Sequence, residues 1–122
     1  MPTVNPVISR IGDHTVKFTY TPMANADVGA PIGANFADYA DRNVSVFGTF
    51  GAGGSVAVQG SNDDGTTYHT LNDQSDNALA LTAAKNEQII QVPELTRPNV
   101  TAGDVTTALT VVITARRQRG MP

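Results

Sequence analysis

Residues 55–71, SVAVQGSNDDGTTYHTL, combine the two local signals that decide the fold of this chain. In 55–61, valines alternate with other residues in the order expected for a half-buried strand. The Asn and Asp residues of 62–64 and Gly65 favour a turn, because Asn and Asp bond to nearby backbone and glycine tolerates a left-handed conformation. The strand pattern resumes over 67–71, so we predict that this stretch forms a hairpin turn.

Alternation of period two recurs elsewhere along the chain and predicts further strands. The two clearest are 14–21, HTVKFTYT, and 107–115, TALTVVITA. Shorter candidates are 78–84 and 87–92. The residues expected on the core faces of 14–21 and 107–115 are Val16, Phe18, Tyr20, Leu109, Val111 and Ile113.

The segment 43–50, NVSVFGTF, is rich in β-branched and aromatic residues, and GAGG follows at 51–54. Glycines supply the positive backbone dihedrals that a tight reversal requires. We therefore predict that 43–50 and 55–61 pair as a hairpin.

No segment keeps the i, i+3, i+4, i+7 pattern of an amphipathic helix over three turns. The sequence predicts a mainly β fold, an antiparallel β-sandwich or a partly closed barrel, because short strands alternate with turn signals. Its 122 residues fit one domain over 1–122. We expect a possible extended N-terminal arm at 1–10 and a basic C-terminal tail at 116–122. Residues 22–42 lack a sustained period and predict a long loop or arm, a candidate contact surface.

Composition limits the classes of partner. The formal net charge is −3, and three of the basic residues, Arg116, Arg117 and Arg119, lie in the last seven positions. We expect no nucleic-acid partner for the acidic body, because phosphate contacts dominate nucleic-acid binding. No apolar run approaches the roughly 18 residues of a membrane span, so no membrane partner is expected. The chain has no cysteine, which excludes thiol redox chemistry.

Catalytic patterns are missing from the sequence. The two imidazoles, His14 and His69, lie in no recognisable motif, and the glycines of 48–55 precede no lysine or helix. We therefore predict no catalytic residues, no cofactor and no enzymatic activity. Asp63, Asp64, Asp73 and Asp76 offer oxygen ligands, with calcium as an alternative interpretation, but their spacing matches no EF-hand. Asp is also an ordinary turn residue, so no metal site is predicted.

Three segments together resemble a group of small virion proteins of tailed bacteriophages. They are YADRNVSVFGTFGAGGSVAVQGSNDDGTTYHTL (39–71), LTAAKNE (81–87) and RPNVTAGDVTTALTVVITARR (97–117), about half of the chain. The recurring pattern of that group is similar to DRSVQVxGTFG, GSNDG and RPxVTxGDGTTxLTV. This chain departs from it in the extra acidic residue of SNDDG and in Val105, which replaces a turn glycine.

The resemblance implies a capsid decoration, or cement, protein on the exterior of the virion, made in the cytoplasm of the host bacterium. Its expected partner is the major capsid protein of the phage head, and its expected state is a homotrimer at threefold positions. Alternatives are a carbohydrate-binding module and a tail or connector module. Sugar platforms usually use exposed Trp or Tyr, and this chain has no Trp and three Tyr.

Contact residues follow from this expectation. We predict that residues 1–10 and the long loop at 22–42 contact the capsid and that exposed strand residues contact other subunits. The capsid-contact residues are Thr3, Val4, Asn5, Pro6, Val7, Phe36 and Tyr39. The subunit-contact residues are Phe47, Phe50, His69 and Arg97. The Arg97 guanidinium is also expected to bridge to a carboxylate, across a sheet or across a subunit contact.

Overall fold

Alternating apolar residues build two sheets that pack face to face. The computed structural model describes residues 3–33, 36 and 38–117. The strands in these residues are β1 (Thr3–Val4), β2 (Val7–Arg10), β3 (Thr15–Met23), β4 (Val28–Gly29), β5 (Asp41–Thr49), β6 (Ser55–Ser61), β7 (His69–Thr70), β8 (Ala80–Leu81), β9 (Lys85–Ile89), β10 (Leu95–Ala102) and β11 (Ala108–Arg116).

Sheet I contains six of these strands in the order β1-β4-β10-β6-β7, with β8 also paired to β6. Sheet II contains five in the order β2-β3-β11-β5-β9. The β1–β4 pair is parallel, and the other pairs are antiparallel. This architecture confirms the expected β-sandwich. Within the described residues, no helix is long and apolar enough to cross a membrane.

The core lies between the inner faces of the two sheets. Its members include all six residues predicted for the core faces of β3 and β11, each almost completely buried: Val16, Phe18, Tyr20, Leu109, Val111 and Ile113. From sheet I, Val56, Val58 and Val100 pack into the same cluster. The predicted hairpin at 61–71 is also confirmed, since β6 and β7 pair antiparallel with His69 opposite Gly60.

The predicted hairpin between 43–50 and 55–61 is wrong. β5 belongs to sheet II and β6 to sheet I, so the glycine-rich loop crosses from one sheet to the other. Both strands have buried valines, and these valines face each other across the core instead of lying side by side in one sheet. The left-handed Gly51, with φ of 74°, allows the sharp turn that this crossing requires.

The N-terminal residues are paired strands where an extended arm was expected. β1 pairs with β4 in sheet I, and β2 pairs with β3 in sheet II, so the described part of 1–10 joins the two sheets. Met1 and Pro2 lie outside the described residues.

The segment 22–42 is a folded connection. β3 extends to Met23, β4 joins the edge of sheet I, and the backbone of Ile32 bonds with that of Thr96 in β10. Gly29 in β4 is required by close packing, because a Cβ there would lie 2.6 Å from the ring of Pro98.

β10 was not predicted as a strand, because Pro98 interrupts its sequence. The structure accommodates this proline beside the very short β4. On the side of β10 that faces β4, Thr96 N donates to Ile32 O at 3.2 Å and Val100 N donates to Asp27 O at 2.9 Å. Pro98 lies between these two donors and has no N–H, so it needs no acceptor there.

A buried arginine links the two sheets. Arg42 is 1% exposed and alternates with the buried Val44 on the inner face of β5. Its Nε donates to Tyr39 O at 2.8 Å, its Nη1 to Thr96 Oγ1 at 2.9 Å and its Nη2 to Phe36 O at 3.1 Å. Burial lowers the pKa of Arg42, since desolvation disfavours the charged form. The three acceptors compensate this cost and fix segment 36–39 against β10.

We expect Arg42→Met to lower the free energy of unfolding by about 2–4 kcal/mol. The methionine fills part of the volume, but the carbonyls of Phe36 and Tyr39 and the hydroxyl of Thr96 lose their donor in the core. Urea denaturation measures the loss. Arg116→Met is the matched control: Arg116 makes an exposed salt bridge to Asp41 at 3.3 Å, a kind of pair that contributes about 0–1 kcal/mol. Equal losses in the two variants would contradict the linking role of Arg42.

Candidate interaction surfaces

The outer face of sheet I has a cluster of Tyr68, Arg97, Gln59 and Asn99, which we call the Arg97 cluster. β6 aligns it, because Gln59 pairs with Arg97 of β10 on one side and with Thr70 of β7 on the other. The guanidinium carbon of Arg97 lies 3.6 Å from the centre of the Tyr68 ring. Arg97 Nε donates to Gln59 Oε1 at 3.1 Å, and Asn99 Nδ2 donates to the same oxygen at 3.3 Å. All four side chains are half-buried.

The turn 61–67 lies beside this cluster and is fixed by its own side chains. Asp63 Oδ1 accepts hydrogen bonds from Thr67 N and Ser61 Oγ, each at 2.8 Å. These bonds, with that from Thr67 N the strongest, lower the pKa of Asp63. The carboxylate therefore acts as a turn acceptor. Within the described residues, no group of three or more His, Cys, Asp or Glu side chains is placed to hold a metal ion.

An open concavity of about 670 Å³ lies between this turn and residues 91–93. Its polar lining includes Asn62, His69 and Gln91, and Pro93 closes it against Gly60. His69 is exposed here, at the β7 edge of sheet I. The other imidazole, His14, precedes β3 in sheet II, so the fold does not place the two histidines on one strand or sheet.

A second acidic turn, which contains Asp104, stabilises the loop 50–54 that connects the two sheets. Asp104 accepts hydrogen bonds from Ala52 N at 2.9 Å and from both the amide and the hydroxyl of Thr106. Thr107 Oγ1 donates to Phe50 O at 2.8 Å. The bonds from Thr106 and then from Ala52 lower the pKa of Asp104. The loop 50–54 is thus fastened to the β10–β11 connection.

The two free edges of sheet II differ in chemistry. The β2 edge exposes apolar side chains: Val7 is 65% exposed and Ile8 is 52% exposed, and Ile11 is also exposed just beyond the strand. The β9 edge has a salt bridge between Lys85 and Glu87 at 3.3 Å within the strand, and its exposed apolar residue, Ile90, lies just beyond the strand. Charged side chains protect an edge from pairing with another chain, whereas an apolar edge favours it.

The structure removes two predicted capsid-contact residues from the free surface. Tyr39 is buried, and its hydroxyl accepts a hydrogen bond from Arg10 Nη1 at 2.9 Å. Phe36 packs edge-on against Phe18 of the core, with ring centres 4.9 Å apart. Both belong to the segment that Arg42 holds in place, which explains their burial.

The remaining predicted capsid-contact residues lie along β1 and β2. Thr3, Asn5 and Val7 are exposed, whereas Val4 and Pro6 are half-buried. Val4 also packs against the core.

The predicted subunit-contact residues are divided between the two outer faces. Phe47 is 49% exposed on the outer face of sheet II, opposite Thr110. Arg97 lies on the outer face of sheet I. Phe50 is half-buried and packs against the core from the crossing loop. A single flat contact therefore cannot contain both Phe47 and Arg97.

The predicted basic tail begins within the last strand. Arg116 ends β11 and bonds to Asp41, and Arg117 Nη2 donates to Asp13 O at 3.0 Å. The rest of the tail, 118–122 with Arg119, lies outside the described residues.

Sequence reasoning missed Arg42 and the exposed edge residues Ile8 and Ile11. The signal for Arg42 was present, because it continues the buried positions of Val44 and Val46 by steps of two. Ile8 and Ile11 have no such signal, since their exposure depends on β2 being the outermost strand of sheet II.

No protein-family model matches the chain, and comparison with curated proteins and with solved structures finds no significant match.

The lowered pKa of Asp104 predicts an acid-sensitive stability. A carboxyl group whose pKa is lower in the folded state stabilises the fold above its ordinary value of 3.8 and loses that contribution as the pH falls below it. We expect Asp104→Asn to have a lower Tm than the wild type near neutral pH and a smaller further decrease below about pH 4. Thermal melting followed by circular dichroism over this range is the measurement. Parallel Tm profiles for the two proteins would contradict the role of Asp104.

Proposed function

We propose that this protein is a capsid decoration protein of a tailed bacteriophage, which binds the outside of the assembled head and stabilises contacts between major capsid subunits without catalysis. The sequence resemblance motivates this proposal. The structural observation that supports it best is the apolar free edge of β2, in the N-terminal segment where capsid contacts are expected. The protein would be made in the host cytoplasm and act on the exterior of the virion.

The β2 edge offers main-chain groups as well as apolar side chains. Ile11 N bonds to Thr15 O of β3 at 2.9 Å. Backbone groups of an antiparallel strand point alternately to its two sides, so the N–H and C=O of Ile8 and Arg10 point away from β3. An extended segment of a capsid subunit can add to this edge as a further strand, with Ile8 packing against it.

The same geometry keeps this contact short. Pro6 precedes β2 and has no N–H to donate, so a partner strand can pair over only a few residues. A contact of this size is weak, and a Kd of about 1 mM corresponds to only about 4 kcal/mol. Three linked copies on a threefold site would raise the effective concentration of each contact, which supports a homotrimer.

Phe47 is the better candidate for the trimer contact. In a closed threefold ring, the two patches that each subunit uses cannot lie on opposite faces, because such contacts propagate into an open stack. Phe47 and Arg97 lie on opposite faces, so only one belongs to the ring. We assign that role to Phe47, because an exposed aromatic side chain contributes most when it is buried in an interface.

The carbohydrate-binding alternative has less support. Tyr20 and Tyr39 are buried, and the guanidinium of Arg97 covers one face of the Tyr68 ring. None of the three tyrosines therefore offers the open, uncovered ring that a sugar platform uses.

Ile8→Asp should lower binding to capsids roughly tenfold or more, because it places a charge on an edge that the proposal buries against the shell. Co-sedimentation with empty heads that lack this protein measures the occupancy. Ile90→Asp is the matched control, since Ile90 is 51% exposed and lies outside β2. Failure of the wild type to bind such heads would refute the decoration role, and equal binding of both variants would refute the β2 contact. Deletion of 1–10 would be a poorer test, because it removes the paired strands β1 and β2.

Phe47→Asp should convert a trimer to monomers. The substitution leaves a charge where the subunit contact would bury an aromatic ring. The fold is retained because Phe47 is already 49% exposed and lies opposite the polar Thr110. Light scattering at micromolar concentration gives the mass. Val105→Asp, at a fully exposed turn position, should leave the trimer intact. A monomeric wild type would count against the trimer.

A further inference from the structure

The Arg97 cluster holds a guanidinium in a fixed position with its outer donors unused. Stacking on Tyr68 at 3.6 Å sets the plane of the group, and the bond from Nε to Gln59 Oε1 sets its rotation. Gln59 is itself positioned by Asn99. A long, flexible side chain has therefore already lost most of its freedom before any partner binds, which lowers the entropic cost of binding.

The two Nη groups of Arg97 point away from these fixed contacts. Within residues 3–33, 36 and 38–117, they have no hydrogen-bond acceptor and no carboxylate within salt-bridge distance. They are also accessible, since the sole buried side-chain polar atom without a partner in these residues is His14 Nδ1. The carboxylate that the sequence led us to expect for Arg97 is thus not supplied from the described part of its own chain.

We propose that the Arg97 cluster is a receptor for a side-chain carboxylate, an Asp or Glu, of a partner protein. The planar fork of a guanidinium matches the two oxygens of a carboxylate in a bidentate pair. Tyr68 and Gln59 act as positioning residues, and the half-buried surroundings strengthen the pair relative to a fully solvated one.

The charges nearby favour a single carboxylate over a phosphate or a polyanion. The adjoining turn contains Asp63 and Asp64, and Glu94 immediately precedes β10; Glu94 Oε1 accepts a hydrogen bond from Asp64 N at 3.0 Å. A ligand with two or more negative charges is repelled by these groups, whereas one carboxylate is neutralised by Arg97 itself. The partner that fits best is a capsid subunit, because the subunit contact is assigned to Phe47 on the opposite sheet; this source rests on the proposed function, and a second copy of this chain is the other outcome of the test.

The first test uses the chemistry alone. Propionate, a monocarboxylate with the charge of one Asp or Glu side chain, is titrated into the ¹⁵N-labelled protein while the side-chain Nε–H signals of arginine are followed by NMR. We expect the Arg97 signal to shift and saturate, whereas that of Arg42, buried and bonded to Tyr39 O, stays fixed as an internal control. Arg97→Lys should abolish the saturable response although the positive charge remains, and Tyr68→Ala should weaken it severalfold. Tyr68→Phe, which keeps the ring, should preserve it.

Two further measurements identify the source of the carboxylate. If a second copy supplies it, Arg97→Gln shifts self-association in sedimentation velocity about tenfold toward the monomer, and propionate competes with association. If a capsid subunit supplies it, Arg97→Gln lowers co-sedimentation with empty heads by a similar factor and leaves self-association unchanged. Either result supports the receptor.

The proposal is overturned if Arg97 gives no propionate response and Arg97→Gln changes neither association nor capsid binding. It is also overturned if inorganic phosphate, or glucuronate as a carboxylated sugar, binds tenfold more tightly than propionate. Because the titration needs no capsids, a protein that fails to bind heads would refute the decoration role without deciding the carboxylate site.

Discussion

The structure depends on a positive charge that is kept away from water. The Arg42 guanidinium lies between the sheets, and a charge there is tolerated only when acceptors replace its hydration. Those acceptors are the carbonyls of Phe36 and Tyr39 and the hydroxyl of Thr96. Phe36, Tyr39, β5 of sheet II and β10 of sheet I therefore have to be positioned together. The same constraint holds the aromatic rings of Phe36 and Tyr39 against the core.

The sequence predicts the positions of several strands and their buried faces, but it does not predict which strands pair. Alternation identified β3, β5, β6 and β11 and the buried face of β3 and β11, because one side of each strand must be apolar. It could not identify the neighbour of each strand. The glycines of 51–54 permit either a hairpin or a crossing between sheets. The contacts that select the crossing, Ala52 with Asp104 and Phe50 with Thr107, join residues 52 and 57 positions apart. Contacts between residues so far apart in the sequence produce no local sequence pattern.

The same limit applies to the surfaces. An aromatic residue in an irregular segment can lie in an interface or in the core, and composition does not distinguish them; Phe36 and Tyr39 were assigned to the surface and are buried or partly buried. Arg97 was recognised as an extended residue in need of a carboxylate. Its stacking on Tyr68 could not be foreseen, because those residues meet only after β6 has paired with both β7 and β10. The side chains of an edge strand gain their exposure from the order of the sheet.

The two edges of sheet II differ in their capacity to accept a further strand. Lys85 and Glu87 protect β9, so an incoming strand would pair more readily with β2, and Pro6 limits that edge to a few residues. Each net hydrogen bond contributes about 1 kcal/mol, so a single copy would dissociate quickly from the capsid that we propose as its partner. Firm attachment through β2 would therefore require several copies held together, and it would couple subunit association to capsid binding. A protein with an intact β2 edge but no partner subunits would lose most of its affinity for the capsid, because that affinity depends on the number of linked contacts.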